Sequence, residues 1–479
     1  MNAERSCCGC LVVAVLIVMS GCGKDRSTTA DSSPTDTSTT PPANEIAEAA
    51  QVSWTGTTPS GQAGRSLVVM PRGGAGELAL LVGASAVFSK APGYVHVAPI
   101  PAANDTPPSW EFESRVGFFD SYHENSSFGE SVAVSYVDGL ADRVVIGAAG
   151  RGCEDGESFL VPVASLAPGD LDVQRIADGI VQGDACTAQS GASVFFHDAD
   201  GDGQQELGVA SVHPGDDRPG EVAFLPGDLS GSMVTDQAEI TLVGAQNGDI
   251  LGMDAVGGRD LNGDGFEDLV VGASRHGGGR AYIVYGPLPA GTHAIESVAG
   301  ATLQAELDDT GLGLWLHIAS DVTGDGLPDV LVGSHIHTEP GGEFRAGRLY
   351  VLPGGSEGVI AASEVETTVS GGRAWGFLGV AAVDADLNGD GQRDLIVGEP
   401  SYLAGEPGRI HVYMGPFGGH LQASDADVTL GGSLGGAEGW SLAVVPGEGG
   451  DRLVVGEPSV DAEEGDEGRV YLLRPFASW

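Results

Sequence analysis

Short apolar runs punctuated by glycine recur along almost the whole chain. Leading glycines at positions 64, 129, 191, 252, 313, 379 and 439 open runs such as GRSLVV, GESVAV, GMDAV and GWSLAVV. A β-branched run closing in small residues follows each one (LLVGAS, VVIGAAG, LVVGAS, LIVGEP), and then an alternating strand such as GYVHV, GEVAFL, GRAYIVY or GRVYLL. The pattern is that of strands and shows no 3.6-residue period. The intervals of 65, 62, 61, 61, 66 and 60 residues between leading glycines therefore predict seven repeated antiparallel β-units. A single four-stranded sheet cannot bury both faces, whereas seven arranged radially can. The predicted fold is all-β, a seven-bladed β-propeller of four-stranded antiparallel blades over residues 51–479. Fourth strands are visible as EITLVG before Gly252 and DVTLGG before Gly439. The last unit runs out after its third strand, and QVSWTG at 51–56 is the candidate for the missing one. An N-terminal strand would then close the last blade and remove an exposed sheet edge.

Units three to six carry an acidic loop between the first two runs: DADGDGQQE, DLNGDGFED, DVTGDGLPD and DLNGDGQRD. Each reads D-x-[D/N/T]-x-D-G-x-x-[D/E]. Oxygens from the first, third, fifth and ninth side chains and the seventh carbonyl converge on one point when glycine at position six lets the chain turn, which suits calcium. Without a cation, each pair of such carboxylates would repel by roughly 1 to 4 kcal/mol. Helix-flanked calcium hands share the loop, but they place a bidentate Glu at position twelve. Here that position is Val209, Val271, Val332 or Val397, inside a β-branched run.

FGESVAV at Phe128, the D-x-N-G-D-G loops and the VGAS or VGEP endings resemble FG-GAP repeats, the units of the seven-bladed propeller of integrin α subunits. The resemblance covers roughly residues 51–479. It implies calcium held on one propeller face, with about four ions. Carried onto this chain, the ligands of the third blade would be Asp198, Asp200, Asp202, the Gln204 carbonyl and Glu206. The fourth blade would use Asp260, Asn262, Asp264, the Phe266 carbonyl and Asp268. The fifth would use Asp321, Thr323, Asp325, the Leu327 carbonyl and Asp329, and the sixth Asp386, Asn388, Asp390, the Gln392 carbonyl and Asp394. Glu206 and Thr323 depart from the usual residue types. In blades two and seven, Arg143 and Arg452 stand in the slot of the ninth-position acid, so these two blades, together with blade one, are expected to be free of metal.

Residues 11–19 form an apolar run of nine, too short to span a bilayer but suited to the core of a signal peptide covering residues 1–21. The ending Met-Ser-Gly-Cys resembles a bacterial lipobox, which implies lipidation at Cys22 and a lipid-anchored place in the bacterial cell envelope. Residues 22–50 are rich in Ser, Thr, Asp and Pro and are expected to form a disordered tether. Cys153 and Cys186 remain as the pair expected to form a disulfide in an oxidising compartment.

The formal net charge is −45, and four calcium ions would leave about −37. This argues against nucleic acid or an anionic membrane as a partner, since both need clustered Lys and Arg. Membrane contact is expected only through the N-terminal lipid. No nucleophile elbow, H-E-x-x-H helix or phosphate loop is present, so no catalytic residue and no enzyme activity are expected. His335 and His337 are expected in a surface loop. Trp110, Trp375 and residues 118–122 are candidate loop aromatics for a binding surface, and Trp315 and Trp440 are expected to pack between blades. The expected function is a monomeric adhesion or binding propeller that recognises a protein or glycan. A structural envelope protein without a ligand and a polysaccharide-acting lyase or hydrolase are the alternatives.

Overall fold

The computed structural model describes residues 45–474 apart from 57–61, 73–76, 86–92, 104, 106–110, 119–126, 151–154, 186–187, 214–217, 306–310, 402–405, 435–436, 438 and 459–467. Cys22, Cys153, Cys186, Trp110 and residues 119–122 lie outside the described set, as does the leader.

Seven small, mainly antiparallel sheets form a ring. The four antiparallel strands of blade three are Ser190–His197, Glu206–Ser211, Glu221–Pro226 and Ile240–Val243, and the other blades repeat that order. The β-branched second strands are buried almost throughout, as in Asp268–Ala273 and Asp394–Glu399. Glycines set how closely the blades approach. A Cβ on Gly83 would stand 2.0 Å from the Gly129 carbonyl oxygen, and one on Gly398 would stand 1.9 Å from that of Gly439. The second-strand glycine of one blade thus meets the leading glycine of the next, which explains why both recur once per unit.

Closure takes the form expected from the sequence. Ala50–Thr55 pairs antiparallel with Arg469–Leu473, from Ala50 opposite Leu473 to Thr55 opposite Arg469, and becomes the fourth strand of blade seven. Ser441 Oγ donates to the Gly64 carbonyl at 2.5 Å and joins blade seven to blade one. Arg452, buried in the slot of the missing ninth acid, donates to Gln51 Oε1 at 3.0 Å and to the Pro101 carbonyl at 2.7 Å. Arg143 in blade two likewise reaches Asp178 Oδ1 at 2.7 Å and the Leu229 carbonyl at 3.1 Å. The guanidinium that replaces an acid in these blades is used as a strap between neighbouring segments.

Blades one to five each carry a fifth strand that the sequence pattern does not announce. Gly169–Asp172, Gly231–Val234, Gly291–Ala294, Gly358–Ala361 and His420–Gln422 leave the following blade and pair parallel to the fourth strand of the blade before it. A short helical turn then leads each segment back to its own blade, as in Val173–Ile176 and Ile295–Val298. The helix Glu45–Ala49 holds the equivalent place ahead of the closing strand. Its Ile46 is fully buried among Leu430, Leu453, Tyr471 and Leu473. Glu45–Ala49, inside the segment read as tether, is therefore packed structure.

Two expectations about side chains change. His335 and His337 are buried, at 6% and 5% exposure, because the loops of blades five and six close over them, so they do not lie in a surface loop. Phe118 is a core residue, edge-on to Phe128 and Phe159 at 5.1 and 5.3 Å, and it offers no loop aromatic. Trp375 sits at φ 58° and packs 5.0 Å from Phe344, with the Arg345 guanidinium 5.2 Å from each ring. Trp315 and Trp440 pack against the inter-blade core, and Arg65 lies 4.6 Å over the Trp440 ring.

Candidate functional site

All four acidic loops join the first strand of a blade to its second, and therefore lie on one face of the ring. Their folding is local. The first-position carboxylate accepts from the glycine amides at positions four and six. Asp260 takes Gly263 at 2.6 Å and Gly265 at 2.8 Å, and Asp386 takes Gly389 at 2.7 Å and Gly391 at 2.9 Å. Asp198 and Asp321 make the same pairs. Positive φ values of 77–94° at Gly201, Gly203, Gly263 and Gly265 aim those amides inward, a conformation that L side chains rarely adopt. The fifth-position carboxylate accepts from the amide of residue seven: Gln204 onto Asp202, Phe266 onto Asp264, Leu327 onto Asp325 and Gln392 onto Asp390.

The ninth-position acid anchors each loop. Asp268 and Asp394 open the second strand, Asp329 directly precedes it, and all three are fully buried. One oxygen of each accepts from the second-position amide: Leu261 at 2.6 Å, Val322 at 2.7 Å and Leu387 at 2.9 Å. Glu206 makes the same contact with Ala199 at 2.8 Å, so its extra methylene is absorbed without losing the anchor. Burial, added to by Asp264 and Asp260, holds Asp268 above the ordinary carboxylate range. Asp394 is raised in the same way, with Asp390 and Asp386 beside it. Asp329 is raised by burial. Glu206 is pushed up to about 7, first by burial and then by Asp200, Asp198 and Asp202. Each loop thus gathers negative charge around a carboxylate that favours a proton or a cation over bare ionisation.

In blade three, Asp198, Asp200 and Glu206 offer oxygens that all lie within 4.8 Å of one another. Blade five differs in one respect. Asp200, Asn262 and Asn388 accept the amide of residue five, whereas Thr323 turns its hydroxyl to Asp329 Oδ1 at 3.0 Å. All oxygen, partly anionic and placed on glycine turns, the donor sets fit a calcium-class ion.

Two residues of this face were not singled out from the sequence. Glu267 Oε2 accepts the Asp198 amide at 2.8 Å, and Asp451 Oδ2 accepts the Asp386 amide at 3.0 Å. Each stands one place before its blade's ninth-position slot and links its loop to that of the preceding blade. The available signal was an acid at position eight. Blade two lacks the acidic loop and turns tightly through Asp138 and Gly139, at φ 51° and 76°. Its Tyr136, Val137 and Leu140 are 43%, 58% and 50% exposed. A cavity of about 530 Å³ separates that hairpin from Asp200, Asp202 and Glu206 of blade three.

Radial blades with nine-residue acidic loops along one face define the class, a repeat-built β-propeller. The FG-GAP repeat family matches residues 251–285 and 377–413, and the ring of seven sheets that carries these repeats is integrin-α-like. It is 33% identical over 177 residues to phosphatidylinositol-glycan-specific phospholipase D of Rattus norvegicus, covering 35% of this chain and 20% of that protein. To the Bos taurus protein of that name it is 34% identical over 152 residues, with 29% and 18% covered. To integrin alpha-PS2 of Drosophila melanogaster it is 31% identical over 159 residues, with 32% and 11% covered. The chain spans a fifth or less of the length of these curated relatives. Among the described residues, no helix is long and apolar enough to cross a membrane.

Proposed function

We propose that this chain is a calcium-stabilised, extracytoplasmic binding propeller, held to a bacterial envelope by lipid at Cys22, that recognises a protein or glycan. The observation that carries the calcium reading is the ninth-position acid. In four consecutive blades an acid at the foot of the second strand accepts backbone amides within a ring of further acids, and three of the four are fully buried. An ion at each loop would neutralise that charge and tie the first strand to the second. An ion that holds only the folded state stabilises it by about 2.7 kcal/mol at a hundredfold excess over its dissociation constant.

Likeness to integrin α chains supports an adhesive role, and exposed aromatic residues offer contact surfaces on both faces. Tyr136 and Phe266 lie on the loop face, and Phe344, with the half-buried Trp375 against it, on the other. The test is binding of the full chain to immobilised glycans and to envelope proteins, in calcium and in EDTA. Calcium-dependent capture that falls on Y136A or W375A supports recognition. Equal retention in EDTA, or none on any surface, would overturn it. Hydrolysis or elimination of a polysaccharide by the purified chain would restore the enzyme reading. Mass spectrometry of the mature N-terminus tests the anchor, which predicts a diacylglyceryl group on Cys22 and its loss in C22S.

A further inference from the structure

We propose that Asp184, His213 and Glu221 form a separate site for a divalent transition metal, on the face opposite the acidic loops. Asp184 lies in the connection from Gly179–Gln182 to Ser190–His197. His213 follows Glu206–Ser211, and Glu221 opens Glu221–Pro226. Each contributes one donor atom, and the three atoms lie within 4.8 Å of one another. Donors about 2.0–2.2 Å from a common metal stand roughly 3–3.5 Å apart, so a small contraction completes the geometry.

The imidazole is what distinguishes this cluster from an acidic surface patch. The His213 side chain is 2% exposed, its Nε2 has no hydrogen-bond partner, and that nitrogen points at Glu221 Oε1 from 3.8 Å. A buried ring nitrogen without a partner calls for a physical explanation, and coordination supplies one. The backbone holds the ring in place: His213 sits at φ 42°, and its amide donates to the Ala188 carbonyl at 3.2 Å. Ser401 occupies the corresponding place in blade six at φ 49°, so blade six shares the turn but not the imidazole. One imidazole with two carboxylates suits zinc, manganese or ferrous iron, whereas calcium and magnesium take oxygen ligands.

Arg218 fills the cationic role when no metal is bound. Its Nη1 lies 3.3 and 3.2 Å from the two Asp184 oxygens, and its Nη2 lies 3.2 Å from Asp184 Oδ2 and 3.6 Å from Glu221 Oε2. The arm is 38% exposed and can leave toward solvent as the ion enters. Asp184 belongs to the connection between blades and the other two ligands belong to blade three. The bound ion therefore pins the junction of blades two and three.

The test is a zinc titration of the full chain against a chromophoric chelator, in saturating calcium so that the loops are filled. One zinc equivalent is expected. H213Q should weaken it by more than the ~10- to 100-fold that outer-shell changes cost. E221Q should weaken it as well, and R218M should tighten it by removing the competing cation. Cobalt in place of zinc should give a visible absorption band that is lost in H213Q, a readout that does not depend on overall stability. No uptake by either the wild type or R218M would overturn the assignment. So would uptake that survives H213Q and disappears in H335Q.

Discussion

Replacing Asp268 with Asn separates the structural part of a loop from its ion-holding part. The side chain is fully buried, and both of its oxygens accept backbone amides, Leu261 at 2.6 Å and Gly286 at 2.9 Å. An amide of the same shape cannot accept at both places, so one buried N–H is left facing an NH2 group. Losing a hydrogen bond to a charged group costs about 1.5–3 kcal/mol. In calcium the variant also loses one ion's contribution, about 2.7 kcal/mol at a hundredfold excess over the dissociation constant. The span 45–474, about 430 residues, at ~2.1 cal/mol/K each gives an unfolding entropy near 0.9 kcal/mol/K. Scanning calorimetry of the full chain should therefore show D268N melting about 2–3 °C below wild type in EDTA and about 5–6 °C below it in calcium, by the same conversion. An equal drop under both conditions would refute the ligand role of Asp268. No drop under either would refute its place as the anchor of the loop.

In EDTA, Glu206 should make stability fall as pH rises. Its folded pKa of about 7 lies above the ordinary 4.5, so the folded chain binds the extra proton between those values, and the melting difference between wild type and E206Q should grow less favourable to wild type across that range. Saturating calcium should remove the trend, and a flat difference in EDTA would contradict it. Ile46→Ala empties a fully buried position beside Leu430 and Tyr471 and should cost about 2–5 kcal/mol by urea unfolding, whereas a surface-like change under 0.5 kcal/mol would place the helix outside the fold. Arg452→Met removes the strap to Gln51 and Pro101 and should cost about 1.5–3 kcal/mol. Limited proteolysis of R452M should open the chain first near the closing strand Ala50–Thr55, and a wild-type cleavage pattern would count against the strap.

Blade number, ring closure and the four loops were legible because each rests on a short-range requirement. Leading glycines recur because a Cβ there or on the facing second-strand glycine would strike backbone, as Gly272 would strike the Gly313 carbonyl at 2.0 Å. The acidic loops recur because their own side chains fold them. The parallel fifth strands were not legible. Segments such as GDLD at Gly169–Asp172 are short, polar and without alternation, and their partners lie more than fifty residues away, as Ser114 does opposite Gly169. The burial of His335 and His337 was missed for a related reason. A His-Ile-His turn reads as polar until the loops of the next blade close over it, and burial then lowers the His335 pKa to about 4. Asp184, His213 and Glu221 have no spacing that marks them as a set, and only the packing of blade two's tail against blade three brings them together.

Calcium content and affinity of the purified full chain, by elemental analysis and titration calorimetry, decide whether the four acidic loops hold ions. Close to four ions per chain are expected, with one lost for each of D202A, D264A, D325A and D390A. A chain that binds no calcium, or binds it with a stoichiometry that none of the four substitutions changes, would contradict that expectation.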